Sequence, residues 1–176
     1  MLFRSVHTLR LPNMLHGKIV RSPIAHGRIV RIDTSAARAL PGVTRVLTAA
    51  DVATVMANPH YGPAFHDQPV LAIEKVRHVG EPVALVLAAD IHVAEEAARL
   101  VEVEYEELPA VFGEVGLSGE IRGVPQAALR IREARQMGFT RIVLPAVNVE
   151  PSPSHDEAAE LVGVRHIGEA LDALLG

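Results

Sequence analysis

"PVALVLAADIHVAEEAARLVEVEYEE", residues 82–107, is the stretch whose reading decides the fold. Its first part, "PVALVLAAD" (82–90), is a continuous apolar run, the pattern of a strand covered on both faces. Asp90 stands at an N-cap position and predicts a helix over 91–100. Ile91, Ala94, Ala98 and Val101 fall on one face of that helix. From 101 onward the period changes to two. Val101, Val103 and Tyr105 point one way, while Glu102, Glu104 and Glu106 point the other. Strand, helix and half-exposed strand in succession predict a mixed α/β protein.

The segments before this core continue the alternation. "GKIVRS" (17–22) and "RIVRID" (28–33) read as strands joined through Pro23 and Gly27. "TSAARAL" (34–40) predicts a short helix with Thr34 as N-cap, ended by Pro41-Gly42. "VTRVLT" (43–48) is a further strand. Thr48 and Asp51 have the spacing of a capping box that opens a helix near residue 49. Residues 57–69, "ANPHYGPAFHDQP", read as a loop.

After residue 110 come four glycines within eleven positions, Gly113, Gly116, Gly119 and Gly123. "EVGLSGEIRGV" reads as an extended strand or a hairpin. Pro125 is placed in the first turn of a helix running to about 137, with Ala127, Ile131 and Ala134 inward and Gly138 as C-cap. "TRIVLPAV" (140–147) is a strand, and "SHDE" (154–157) opens a short helix. "ELVGVRHI" and "GEALDALLG" give a last strand and a last helix.

Composition limits the function classes. The chain has 176 residues, 49% apolar and 22% charged, with a net charge of −4. Its length supports a core without metal or disulfide. Aromatic residues amount to only 3%, so that core is aliphatic. There is no cysteine, which excludes disulfides, thiolate catalysis and cysteine-ligated zinc. Arg and Lys form no basic stripe, so nucleic acid is not an expected partner. The N-terminus is not a signal peptide and no run is long enough to span a membrane, so a cytoplasmic protein is expected.

Candidate chemistry fails on spacing. The glycine-rich stretch lacks both G-x-x-x-x-G-K-[ST] and G-x-G-x-x-G, and Glu114 and Glu120 would repel phosphate. Its glycines are read as turns and strand irregularities. His60, His66 and Asp67 lie in the proline-rich loop, but no short histidine spacing of a metal site accompanies them. His26 and His78 are read as structural hydrogen-bonders. Glu102, Glu104 and Glu106 share one solvated strand face, which does not raise a carboxyl pKa as a general acid requires. No catalytic, cofactor-binding or metal residue is predicted, and no cofactor or small-molecule substrate.

Two resemblances follow from ordered motifs. "LPNMLHGKIVRSPIAHGRIVRIDTSAARALPGVTRVLTAADV" and "PVLAIEKVRHVGEPVALVLAADIHVAEEAARLVEVEYEELPAV" resemble the N-terminal α/β-hammerhead domain of xanthine-dehydrogenase-family molybdenum hydroxylases. That resemblance covers about residues 9–110 and implies a fold. In that family the molybdopterin-contacting loops and the catalytic glutamate belong to large domains after the hammerhead, and no such domains are expected here. "GEVGLSGEIR", "GFTRIVLP" and "VRHIGEALDALL" resemble the last part of the Lon-protease-like domain of RadA/Sms DNA-repair ATPases, over about 111–176. A Lon-type lysine would fall where Ala127 and Ala128 stand, and Ser118 has no base at a fixed spacing, so proteolysis is not expected.

These readings together predict a hammerhead-like domain, 1–110, joined to a βαβαβα Lon-like segment, 111–176. The expected function is a non-catalytic folded fusion of two fragments, engineered or selected, without activity of its own. One alternative is an accessory domain of a molybdenum hydroxylase that needs other chains. A further one is a RadA-type partner-binding module. Fragments leave apolar faces uncovered, so a homo-oligomer or strand-exchanged dimer is the expected assembly.

Overall fold

The computed structural model describes residues 11–62, 64–149 and 159–175. The fold is mixed α/β, with several small sheets and five helices among the described residues. It divides into two compact units. Among the described residues, one comprises 11–21, 29–73 and 81–104, and the other comprises Ser22–Arg28, Glu74–Gly80 and the residues from Tyr105 onward.

The first unit is built on the apolar run. β7 (Pro82–Ala88) is the centre of a three-stranded sheet, flanked by β1 (His16–Arg21) and β3 (Val43–Leu47), both antiparallel to it. A central strand shielded by neighbours and helices needs no polar face, which is why the run does not alternate. Ala84 and Val86 of β7 pack with Val46 of β3, Ala37 of α1 (Ser35–Ala39) and Ala97 of α3 (Ile91–Arg99). The small alanines bring the helices close to the sheet.

The caps match the sequence at α3 and at α2 (Ala49–Val55). The Asp90 carboxylate accepts from His92 N at 2.7 Å. Thr48 and Asp51 are bonded to each other at the start of α2. At α1 the structure differs from the expectation. Thr34 makes no side-chain cap, and Asp33 Oδ1 instead accepts from Ser35 N (2.9 Å) and Ser35 Oγ (2.6 Å). The loop after α2 contains one short hairpin, β4 (His60–Tyr61) with β5 (Gln68–Pro69).

β2 (Gly27–Asp33) lies between β6 (Lys75–Val76) and β8 (Glu102–Glu107). The alternation read in β8 is present: Val103 and Tyr105 are half-buried, and Glu102, Glu104 and Glu106 are exposed. Arg28 stands 3.7 Å from Glu106 and Arg31 stands 4.0 Å from Glu104, so β2 balances part of that acidic row.

The second unit holds a parallel sheet in the order β13-β12-β9, from Glu160–Val164, Arg141–Pro145 and Ala110–Val111. Ile142, Val143 and Leu144 of β12 are fully buried because both sheet faces are covered. Ile142 and Leu144 meet Ala134 and Ile131 of α4 (Ala127–Gln136). Val143 faces Ala170 and Leu174 of α5 (Ile167–Leu175).

The helix α4 starts later than expected. Pro125 lies before it, because Gln126 takes a left-handed conformation (φ 57°) and breaks the helical path. Its end is as read. Gly138 (φ 94°) donates to Arg135 O at 2.9 Å and Phe139 N donates to Ala134 O at 3.1 Å, the paired bonds of a Schellman cap. The strand read over 140–147 stops at Pro145 and turns into one 3-10 turn, Ala146–Asn148. The helix read at 154–157 lies outside the described residues.

Candidate functional site

The glycine-rich stretch forms a hairpin, β10 (Glu114–Val115) with β11 (Ile121–Arg122). Glu120 accepts from Ser118 N and from the Arg122 guanidinium Nε at 3.0 Å. The Arg122 pairing holds the Glu120 carboxyl below the usual range, so a negative charge sits inside the turn. A side-chain methyl on Gly116 would lie 2.0 Å from Glu120 Oε1. Gly119 lies under the His166 ring, whose Nε2 is 3.1 Å from Ser118 O, and Gly119 O accepts from Ile167 N. The turn is thus a structural seat for the start of α5.

The other candidates do not converge. His60 uses its backbone N–H on Asn58 Oδ1, and His66 sits on a left-handed backbone. Among the described residues no group of three His, Asp or Glu side chains is placed to hold a metal ion. His78 Nδ1 lies 3.0 Å from Val79 O, and His26 O accepts from Leu108 N. Ser118 meets Glu120 and His166 through its backbone N–H and C=O, and Ala127 and Ala128 offer no base. Among the described residues no helix is long and apolar enough to cross a membrane.

One further feature, without a motif to announce it, is a cavity of about 360 Å³ in the first unit. It is lined by Arg38, Asp51 and the strand Val43–Leu47. Arg38 is engaged there. Its Nη2 donates to Val46 O and its Nε to Thr34 Oγ1, each at 2.9 Å, and Asp51 lies 3.6 Å away. A guanidinium so committed beside a carboxylate does not suit the phosphate of a pterin cofactor.

The family described as "Aldehyde oxidase and xanthine dehydrogenase, a/b hammerhead domain" matches residues 4–109. The chain belongs to that hammerhead family. The match ends where β8 has closed and β9 begins. The large chain of carbon monoxide dehydrogenase from Afipia carboxidovorans is 52% identical over 108 residues, covering 60% of this chain and 13% of that one. A gamma subunit of the 6-hydroxypseudooxynicotine dehydrogenase complex from Paenarthrobacter nicotinovorans is 40% identical over 127 residues, 16% of its length.

Solved structures agree. Reconstituted CO dehydrogenase from Oligotropha carboxidovorans superposes on 62% of the chain with a TM-score of 0.56 at 50% identity, covering 14% of that chain. Quinoline 2-oxidoreductase from Pseudomonas putida 86 gives a TM-score of 0.54 at 46% identity. This chain spans about an eighth of the length of these large subunits.

These matches correct one expectation. The chain is not adequately described as a non-catalytic fusion without a function of its own. Its larger part is a hammerhead domain, similar to one segment of the carbon monoxide dehydrogenase large chain.

The hammerhead residues do not fit a molybdenum cofactor. The described side chains bring no ligand set together, and the arginine in the cavity is already bonded. The part of the large subunits that this chain matches excludes most of their length.

Proposed function

We propose that this chain serves as the hammerhead module of a molybdenum-hydroxylase large subunit, with the cofactor and the reacting groups carried on other protein. The observation that carries this reading is the 52% identity to a carbon monoxide dehydrogenase large chain over 108 residues. The module supplies a rigid sheet-and-helix body, with its titratable groups spent on caps and ion pairs. Residues 1–110 and 111–176 are proposed as its two segments. The second carries the parallel strands β9, β12 and β13 with the intervening helix α4.

The test is complementation in trans. The Afipia large chain is expressed without the 108 residues that this chain matches, and the full 176-residue chain is added. The expected result is a stable one-to-one complex in size-exclusion chromatography that holds molybdenum. Separate elution of the two chains would overturn the reading.

A further inference from the structure

β3 has one strand neighbour, β7, and is therefore an outer strand of its sheet. An outer strand offers backbone N–H and C=O groups to a strand of another chain, and it templates association unless something prevents it. Arg38, Arg45 and a bulge at Thr44 all act on this edge.

Arg38 reaches out from α1. Its Nη2 donates to Val46 O, a backbone acceptor of β3, at 2.9 Å. The guanidinium is held from two further sides. Its Nε donates to Thr34 Oγ1 at 2.9 Å, and Asp51 of α2 lies 3.6 Å from Nη2. Arg38, Asp51 and the whole of β3 line one cavity of about 360 Å³, so the arginine crosses open space beside the strand rather than packed core. Thr34, which makes no side-chain cap for α1, instead supports this arginine.

Arg45 stands exposed at the middle of the five-residue strand. Two copies pairing β3 with β3 antiparallel about the strand's centre would set the two Arg45 side chains opposite each other. Like charges so placed repel. The register with β7 steps from Val43–Ala88 to Arg45–Leu87, which leaves Thr44 as an extra residue. Such a bulge bends the strand and increases its twist, so a straight partner fits it poorly.

We infer that Arg38 is an edge guard: it occupies the β3 acceptor that an added strand would use and, together with Arg45, keeps a second copy of this chain from pairing there. A short strand, a bulge and charge along the edge are the means by which sheets avoid edge-to-edge association, and β3 carries all of them. The two supports of Arg38 are what the role requires, because a freely moving side chain would leave Val46 O open to a competing strand.

The experiment uses the full 176-residue chain with Arg38→Met, Arg45→Thr and the two combined. Arg38→Met keeps an aliphatic stem and removes the guanidinium. Sedimentation equilibrium over a concentration series measures self-association. Amide hydrogen exchange at low and high concentration locates it, and circular dichroism reports the fold. The double variant is expected to self-associate at least ~10-fold more tightly than the unsubstituted chain, as one backbone hydrogen bond becomes available and one like-charge pair is removed. Exchange of the amides in 43–47 is expected to slow as concentration rises.

A folded double variant with the mass of the unsubstituted chain at every concentration overturns the inference. So does tighter association without slowed exchange in β3, because the copies then meet elsewhere. Loss of the fold in Arg38→Met would mean that the guanidinium holds the unit together instead of guarding its edge, and overturns it as well.

Discussion

Thr48 and Asp51 are locked together at the start of α2: Asp51 Oδ2 accepts from Thr48 N at 2.8 Å and from Thr48 Oγ1 at 2.9 Å. The four residues Thr48–Asp51 thereby fix where the strand β3 ends and the helix begins.

Thr48→Ala is expected to lower stability by about 1 kcal/mol, the usual cost of losing an N-cap side chain. Urea unfolding followed by circular dichroism measures it. The same pair gives a pH dependence. The Thr48 backbone and hydroxyl donors hold the Asp51 carboxyl below the usual aspartate range. Its contribution is therefore complete above the ordinary aspartate value of about 3.9 and is lost as pH falls through the depressed folded value. Thr48→Ala and the unsubstituted chain are expected to converge in stability at the acid end. A difference that persists undiminished there contradicts the account.

Two glycines, one against His166 and one two residues beyond it, predict opposite signs. Gly119 has φ 84°, and an added methyl would lie 2.7 Å from the His166 ring. Gly119→Ala combines a left-handed backbone cost of roughly 1–2 kcal/mol with displacement of that ring, so a loss of about 2 kcal/mol or more is expected. Gly168, the second residue of α5, has nothing within 4 Å of the same position. Gly168→Ala is expected to stabilise by ~0.5–1 kcal/mol through helix propensity. Denaturant midpoints of the two variants should move in opposite directions.

Leu144 on β12 is fully buried between Ala134, Ile131 and Phe112. Leu144→Ala is expected to cost ~2–5 kcal/mol, the range for opening a cavity in a close-packed core. Leu117, at the tip of the β10–β11 hairpin, is wholly exposed. Leu117→Ala is expected to change stability by less than about 0.5 kcal/mol. Equal effects at the two positions would mean that β12 is not the core strand of its unit.

The legible parts of the fold were those with a strong period or a local cap. The unbroken run 82–90 announced the central strand, and the Thr48–Asp51 spacing and Gly138 announced helix ends, because each depends on neighbours a few residues away. Sheet partnership was not legible. β1 and β2 are joined by a short turn yet pair with other strands, β7 for one and β6 and β8 for the other, a choice set by residues distant in sequence. Gln126 stopped α4 from reaching Pro125 through a left-handed backbone that Gln does not advertise. The outward Tyr61 and Phe65 were not legible either, because a proline-rich loop gives no period from which exposure can be read.

Tyr105 supplies the alkaline counterpart of Asp51. Its ring is partly buried, its hydroxyl is bonded to Ser22, and burial pushes the phenol above the usual tyrosine value, with the Ser22 bond pulling the other way. A phenol whose folded pKa exceeds its unfolded one stabilises the fold fully below the unfolded value, about 10, and that stability is lost as pH rises through the folded value. Since the chain has only two tyrosines, Tyr61→Phe isolates Tyr105 spectroscopically. Phenolate absorbance in that variant is expected to rise at a pH above the ordinary tyrosine range in the native protein and within it in strong denaturant. Unfolding free energy should decline over the same interval, and Tyr105→Phe should abolish that decline. An absorbance midpoint that is identical with and without denaturant would show that burial does not govern this phenol.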